Sequence, residues 1–168
     1  SANLTLSKNK LDTITQFIDN WDTGIQEDVR HEDTDLAFSP NIIWSSQLSY
    51  AINNNISMNF VSKYVGEQYI DNTSSYDRQL DDYLINNLQI DYNLNSKIFN
   101  TAKVSILINN IFDNEYVSSA WLYRFISEGF DPRDSDHYVT KDSDSRYNMA
   151  GYFPQATRNY LFGLTLGF

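Results

Sequence analysis

The chain has 168 residues, enough for one domain with a sizeable core, and 22 acidic against 12 basic residues give it a formal charge of −10. That balance excludes nucleic acid as a partner, since no basic stripe is available to neutralise phosphates. The absence of cysteine excludes a disulfide framework and a thiolate metal site.

Mean hydropathy is −0.48, and no segment approaches the roughly 18 apolar residues of a membrane helix. Hydropathy averages are blind to strands that alternate apolar and polar residues, so a transmembrane sheet stays open. The aromatic fraction of 15%, with twelve tyrosines, suits a surface where rings meet both apolar groups and water. The opening SANLTL reads as the start of a mature protein or of a piece of a longer one.

In chain order, ANLTLSKNKL (2–11) begins with Leu4 and Leu6 in alternation, then slips phase near Leu11, as a bulge would make it do. Residues 20–39, with four aspartates, read as a long connection. PNIIWSSQLSYAI (40–52) carries Ile42, Trp44, Leu48, Tyr50 and Ile52 on one face, against Asn41, Ser45, Gln47 and Ser49 on the other. NISMNFVSKYVGEQY (55–69) sets Ile56, Met58, Phe60 and Tyr64 against Ser57, Asn59, Lys63 and Glu67. Residues 71–78 read as another loop. YLINNLQIDYNL (83–94) gives Leu84, Leu88, Ile90, Tyr92 and Leu94 a common face that Asn86 interrupts. TAKVSILINNIFDNEY (101–116) opposes Val104, Ile106, Ile108 and Phe112 to Lys103, Ser105, Asn109 and Asp113. Residues 117–158 read as a very long loop, and NYLFGLTLGF (159–168) places Tyr160, Phe162, Leu164, Leu166 and Phe168 on one side.

Short turns on one side and long loops on the other describe an up-and-down antiparallel meander, and also an outer-membrane barrel. The step from Tyr160 to Phe168 spans roughly 20 Å vertically at ~40° tilt, close to the apolar band of such a barrel. The face opposite the rings is rich in Asn, Ser, Gln and Thr, which suits an enclosed polar interior. The expected fold is therefore all-β, an antiparallel up-and-down transmembrane β-barrel. Six strands are too few for closure, so residues 1–168 are expected to be a C-terminal segment of a larger barrel domain. A soluble β-sandwich, with the same rings in a core, is the competing architecture.

INNIFDNEY (108–116) and YFPQATRNYLFGLTLGF (152–168) together resemble the C-terminus of TonB-dependent outer-membrane receptors. The positions that carry the resemblance are Asn109, Asn110, Ile111, Phe112, Asp113 and Tyr116, then Pro154, Arg158, Asn159, Tyr160 and Phe168. SKNKL (7–11) and VSKYVGEQYIDNT (61–73) resemble earlier strands of that family. The resemblance implies a 22-stranded barrel whose plug and earlier strands lie outside this chain. It implies an active transporter in the outer membrane of a Gram-negative cell, importing a ferric siderophore by default, with haem, cobalamin or a glycan as other cargoes. The implied partners are outer-membrane lipid, the rest of the barrel and its plug, TonB acting through that plug, a surface lipoprotein and the barrel-assembly machinery. That machinery would read Tyr160, Phe162, Gly163, Leu164, Leu166 and Phe168. The alternatives are a passive porin or an assembly or secretion barrel subunit, and a soluble carbohydrate-binding β-sandwich.

No catalytic set is legible, so the expectation is a protein that is not an enzyme, with no cofactor and no metal. His31 and His137 sit among loop acids, where a solvated histidine is the ordinary outcome. Asp131, Asp134, Asp136, Asp142 and Asp144 offer oxygen ligands for calcium but lack the spacing of a calcium loop. For ligand contact, the candidates are Trp21 in the first loop and Trp121, Tyr123, Arg124, Arg133, Tyr138 and Arg146 in the last, with Phe125 and Phe130 beside them. Aromatic rings with arginines grip flat or anionic ligands through stacking and charge. Lys63, Glu67, Lys103 and Asp113 are expected to satisfy neighbouring polar groups.

Overall fold

A computed structural model describes residues 1–168. The strands are β1 (Ala2–Leu6), β2 (Lys10–Asn20), β3 (Ile25–Asp35), β4 (Ile42–Ala51), β5 (Ile56–Val65), β6 (Gln68–Tyr69), β7 (Gln79–Leu80), β8 (Tyr83–Asn93), β9 (Thr101–Asn109), β10 (Val117–Ile126), β11 (Val139–Lys141), β12 (Tyr147–Pro154) and β13 (Asn159–Gly167). Single 3₁₀ turns occupy Tyr76–Arg78 and Pro132–Asp134.

Six strands form the larger sheet in the order β1-β4-β5-β8-β9-β13, antiparallel throughout. Its register follows the period-two pattern. Leu48 faces Phe60, Phe60 faces Leu88, Leu88 faces Ile108 and Ile108 faces Tyr160. A neighbouring row runs Tyr50, Met58, Ile90, Ile106 and Phe162. A slip of one residue in any pair would turn a whole set of rings to the Asn- and Ser-bearing side, so the register is strongly specified. Asn86, which interrupts the apolar set of its strand, faces Ser62, and the two side chains hydrogen-bond at 2.6 Å.

A second sheet has the order β11-β12-β10-β2-β3. Its β10 joins β2 in parallel over only two pairs, Phe125 to Asp19 and Ile126 to Asn20. The third sheet is the short β6-β7 pair. The chain passes between the larger sheet and the second through four short connectors, at 7–9, 36–41, 110–116 and 155–158. The long connections expected at 20–39 and 117–158 hold strands over half or more of their length. Gly24, at φ 71, closes the β2–β3 hairpin.

The motif Asn109–Tyr116 is a structural turn. Asn110 takes the left-handed conformation at φ 49, accepts from the Asn114 backbone N–H at 3.0 Å and donates to the Asn114 carbonyl at 2.8 Å. Asp113, also left-handed at φ 61, accepts from the Arg158 backbone N–H at 2.7 Å. Tyr116 packs on Tyr83, with ring centroids 4.5 Å apart. These contacts aim the chain from β9 toward β10 and receive it again before β13.

The transmembrane barrel is corrected by this architecture. The larger sheet stays open, with β1 and β13 each paired on one side only, and the second sheet is separate from it. Nor do the two sheets stack as a sandwich around the rings, for Leu48, Phe162 and Leu164 are 68%, 77% and 65% exposed. No helix is long and apolar enough to cross a membrane, which says nothing of a barrel built from strands. The outer-membrane location, the import function and the lipid, plug, TonB, lipoprotein and assembly-machinery partners all depended on the barrel, and the fold does not support them. Tyr160, Phe162, Gly163, Leu164 and Leu166 lie along an edge strand, and Phe168 packs edge-on to Phe99 at 5.1 Å.

Only 20 of 168 residues are buried, in small clusters such as Ile70, Leu80 and Ala120, or Phe125, Val139 and Tyr147. The accessible surface of 11027 Å² exceeds the about 8,500 Å² expected of a compact 19.5 kDa chain. Hydrogen-bonded ladders and local polar turns, more than a central core, hold the chain in shape. Replacing Asn110 by alanine removes both bonds to Asn114 and leaves a left-handed position without the polar side chain that supports it. The expected loss is about 2 kcal/mol in the denaturant midpoint analysis of N110A, with N110G losing less.

Candidate functional site

The candidate site lies where the β2–β3 hairpin tip meets the end of β10. From residue 121 onward the odd-numbered residues of β10 share one face, and they are aromatic: Trp121, Tyr123 and Phe125. Phe125 is fully buried and acts as the hub. Trp21 stacks on it at 3.9 Å with an interplanar angle of 11°, Tyr147 stacks at 5.6 Å, and Tyr123 lies at 5.7 Å. Trp21 donates its indole N–H to the Tyr123 hydroxyl at 3.1 Å, and that hydroxyl donates to Asp19 Oδ2 at 2.6 Å. Gln26 donates to the other oxygen of Asp19 at 2.8 Å. One indole face is therefore covered and its edge fixed, while Trp21 remains 48% exposed.

A cavity of ≈ 340 Å³ opens beside this indole, lined by Asp19, Asn20, Trp21, Gly24, Ile25 and Gln26. A second, of ≈ 550 Å³, lies across the hairpin tip and draws its walls from Glu27, Phe130, Asp131, Lys141, Asp144, Arg146 and Tyr147, among others. Tyr147 carries the Lys141 ammonium over its ring at 4.8 Å and the Arg133 guanidinium at 5.9 Å.

The electrostatics follow from these contacts. Hydrogen bonds from Tyr123 and then Gln26 hold the Asp19 carboxyl below its ordinary value. Burial, followed by the bond to Asp19, pushes the Tyr123 phenol up. Arg133 forks onto Asp131, with its Nε at 3.0 Å and Nη2 at 2.6 Å, and lowers that carboxyl to about 2. Beneath the second cavity, Arg124 binds Gln16 at 2.8 Å, Asn148 at 3.0 Å and Asp144 at 2.6 Å. Burial pushes Asp144 up, but bonds from Arg124 and Arg146 outweigh it and leave the carboxyl lowered.

The structure thus brings together Trp21, Tyr123, Arg124, Arg133 and Arg146. It sets Trp121 and Tyr138 apart. Trp121 lies flat across Gly151, where a β-carbon would stand 2.1 Å from the indole nitrogen, so the glycine is needed for that close approach. Tyr138 is 78% exposed and lines neither cavity. His31 bonds Gln16 at 3.2 Å, and its ring is pushed below its ordinary value by burial first. The five loop aspartates do not converge, because Asp131 is taken by Arg133, and Asp142 and Asp144 by arginines. Lys103 reaches Asp91 at 3.8 Å, Asp113 pairs with Arg158 at 3.5 Å, and Glu67 accepts from Gln79 at 3.2 Å. The sequence reading missed Asp19, Asn20, Gln26, Gln16 and Arg78. Only a hairpin assignment for 10–35 would have exposed the first four, since they pair across strands.

No protein-family profile and no curated protein matches the chain. Two solved structures of the ferric-catecholate import receptor Fiu from Escherichia coli K12 are similar in backbone course. The open form has a TM-score of 0.50 at 13% identity, covering 89% of this chain and 17% of that one. The closed form has a TM-score of 0.50 at 14% identity, covering 95% of this chain and 19% of that one. The chain spans less than a fifth of those proteins' length, and likeness at this identity concerns the fold alone. The TonB-receptor membership implied by the motifs is corrected accordingly: the likeness is partial, and the sheet here does not close.

The Asp131–Arg133 pair gives a direct test of the site's electrostatics. Its lowered carboxyl favours the folded state above the ordinary aspartate range, and this contribution is lost as pH falls through about 2. Carboxyl-carbon NMR titration is expected to show Asp131 changing near pH 2, and R133Q is expected to return it toward ordinary aspartate values.

Proposed function

We propose that the chain is a non-enzymatic binding module that takes a carbohydrate at the Trp21 platform, with the ligand extending across the hairpin tip into the larger cavity. The observation that carries this reading is a half-exposed indole, fixed from behind and at its edge, ringed by Asp19, Asn20 and Gln26. A sugar ring offers an apolar C–H face to an aromatic plane, and hydroxyls at its rim that planar amides and carboxylates pair in bidentate fashion. The pre-set indole lowers the ordering cost of binding. Asp19, held ionised by Tyr123 and Gln26, is an acceptor for hydroxyl donors. The second cavity supplies Glu27, Lys141 and Arg146 for further hydroxyls, and Phe130 and Tyr147 for apolar faces.

Catalysis is left out of the proposal because the groups at the platform are engaged in holding one another, with no nucleophile and base set against a free position. The test is calorimetric titration of the full-length protein with cellotriose, maltotriose and chitotriose. At least one is expected to bind, with W21A weakening it more than tenfold and Y123F, which frees the indole edge, weakening it less. Equal affinity in W21A and wild type would overturn the platform.

A further inference from the structure

The wall of the larger cavity has an unusual support. Five of its eleven lining residues, Lys141, Asp144, Ser145, Arg146 and Tyr147, belong to the tight turn from β11 into β12. That turn is closed locally by the Asp142 N–H to the Arg146 carbonyl at 2.8 Å and the Ser145 N–H to the Asp142 carbonyl at 3.0 Å. Of the charged side chains that fasten it to the rest of the chain, Asp142 is the most deeply buried, at 3% exposed.

One Asp142 oxygen pairs with Arg78 and also lies 3.4 Å from Arg124 Nη2, while the other accepts from the Asn148 amide. Both guanidinium groups are themselves shut off from solvent, at 4% and 3% side-chain exposure. Arg78 in turn holds Asp71 at 2.8 Å and bonds the Thr73 hydroxyl. Arg124 holds Asp144 and Gln16, and His31 meets the same Gln16. Asp77 adds a parallel tie, accepting from the backbone N–H and hydroxyl of Ser143 at 3.1 and 2.7 Å. A buried carboxylate shared by two buried cations cannot be removed without leaving both short of a partner. None of Asp142, Arg78, Asp71 or Thr73 lines either cavity.

We infer that Asp142 is a positioning residue: it locks the 71–80 segment and β10 to the 139–147 turn, and so sets the wall of the larger cavity without touching a ligand. The ligand named here rests on the carbohydrate reading above, whereas the mechanical tie does not.

Two readouts on the full-length protein test it. Hydrogen exchange in D142N is expected to accelerate in 139–147 and 71–80 together, with the β4–β5 ladder unchanged. Affinity for whichever trisaccharide binds wild type is expected to fall at least fivefold, with the Trp21 fluorescence change on binding retained. R78K keeps the charge but loses the fork, and is expected to move both readouts in the same direction by less; it serves if D142N does not fold. Exchange in 71–80 that stays at the wild-type rate in the folded variants would overturn the inference, as would unchanged affinity despite loosened turns. A wild-type protein that binds none of the three sugars, with exchange still coupled in D142N, removes the carbohydrate reading and leaves the positioning role supported.

Discussion

Cross-strand register is the constraint on which the rest of this structure depends. On the even-numbered face of the larger sheet the apolar residues of one strand meet those of the next, across six strands without a break in phase except at Ser46, Ser62 and Asn86. Those three align with one another, so the interruption is itself in register, and Ser62 and Asn86 satisfy each other. Because side chains alternate with period two, that alignment also fixes which residues reach the opposite face and where every connector starts. The turn at Asn110 and the clamp between Asp113 and Arg158 then deliver β10 and return β13 from fixed positions.

Charge organises the second sheet where apolar burial does not. Its β2 and β3 expose charged and polar residues along most of their length, and its join to β10 is two residue pairs long. The aromatic hub at Phe125 holds one face of that join, and Arg124, bonded to Gln16 of β2, holds the other. The two faces divide the labour: stacked rings shape the platform, while paired ions fix the turn that walls the neighbouring cavity. An acidic chain of this kind keeps most of its few cations in such pairs, which leaves carboxylates in excess at the surface.

The period-two segments at 2–11, 40–52, 55–69, 83–94, 101–116 and 159–168 were legible because all or most of each lies in a strand whose two faces differ in polarity. Strands β3, β10 and β12 were not. In IQEDVRHEDTD both faces are polar, so alternation carries no contrast, and in VSSAWLYRFI the buried side holds Arg124 while exposed positions hold Trp121 and Tyr123. Trp21, Tyr123, Arg124, Arg133 and Arg146 could be singled out by residue type. Their grouping could not, since it depends on the parallel pairing of β10 with β2, which no local pattern announces. The motif from Asn109 to Tyr116 was legible as a motif, but its physical content is a pair of left-handed turns, which other chains can share without sharing a task.

The topology also sets an order of events. Strands β4, β5, β8 and β9 meet successive partners through hairpins or modest loops, so this part of the sheet can zip from local contacts at little entropic cost. Strand β13 reaches β9 only across residues 110–158, which hold β10, β11 and β12, and β1 reaches β4 only across the β2–β3 hairpin. The two flanking strands therefore carry a larger loop-closure cost than the hairpins between them, and a slow step in assembling this chain is expected at its margins.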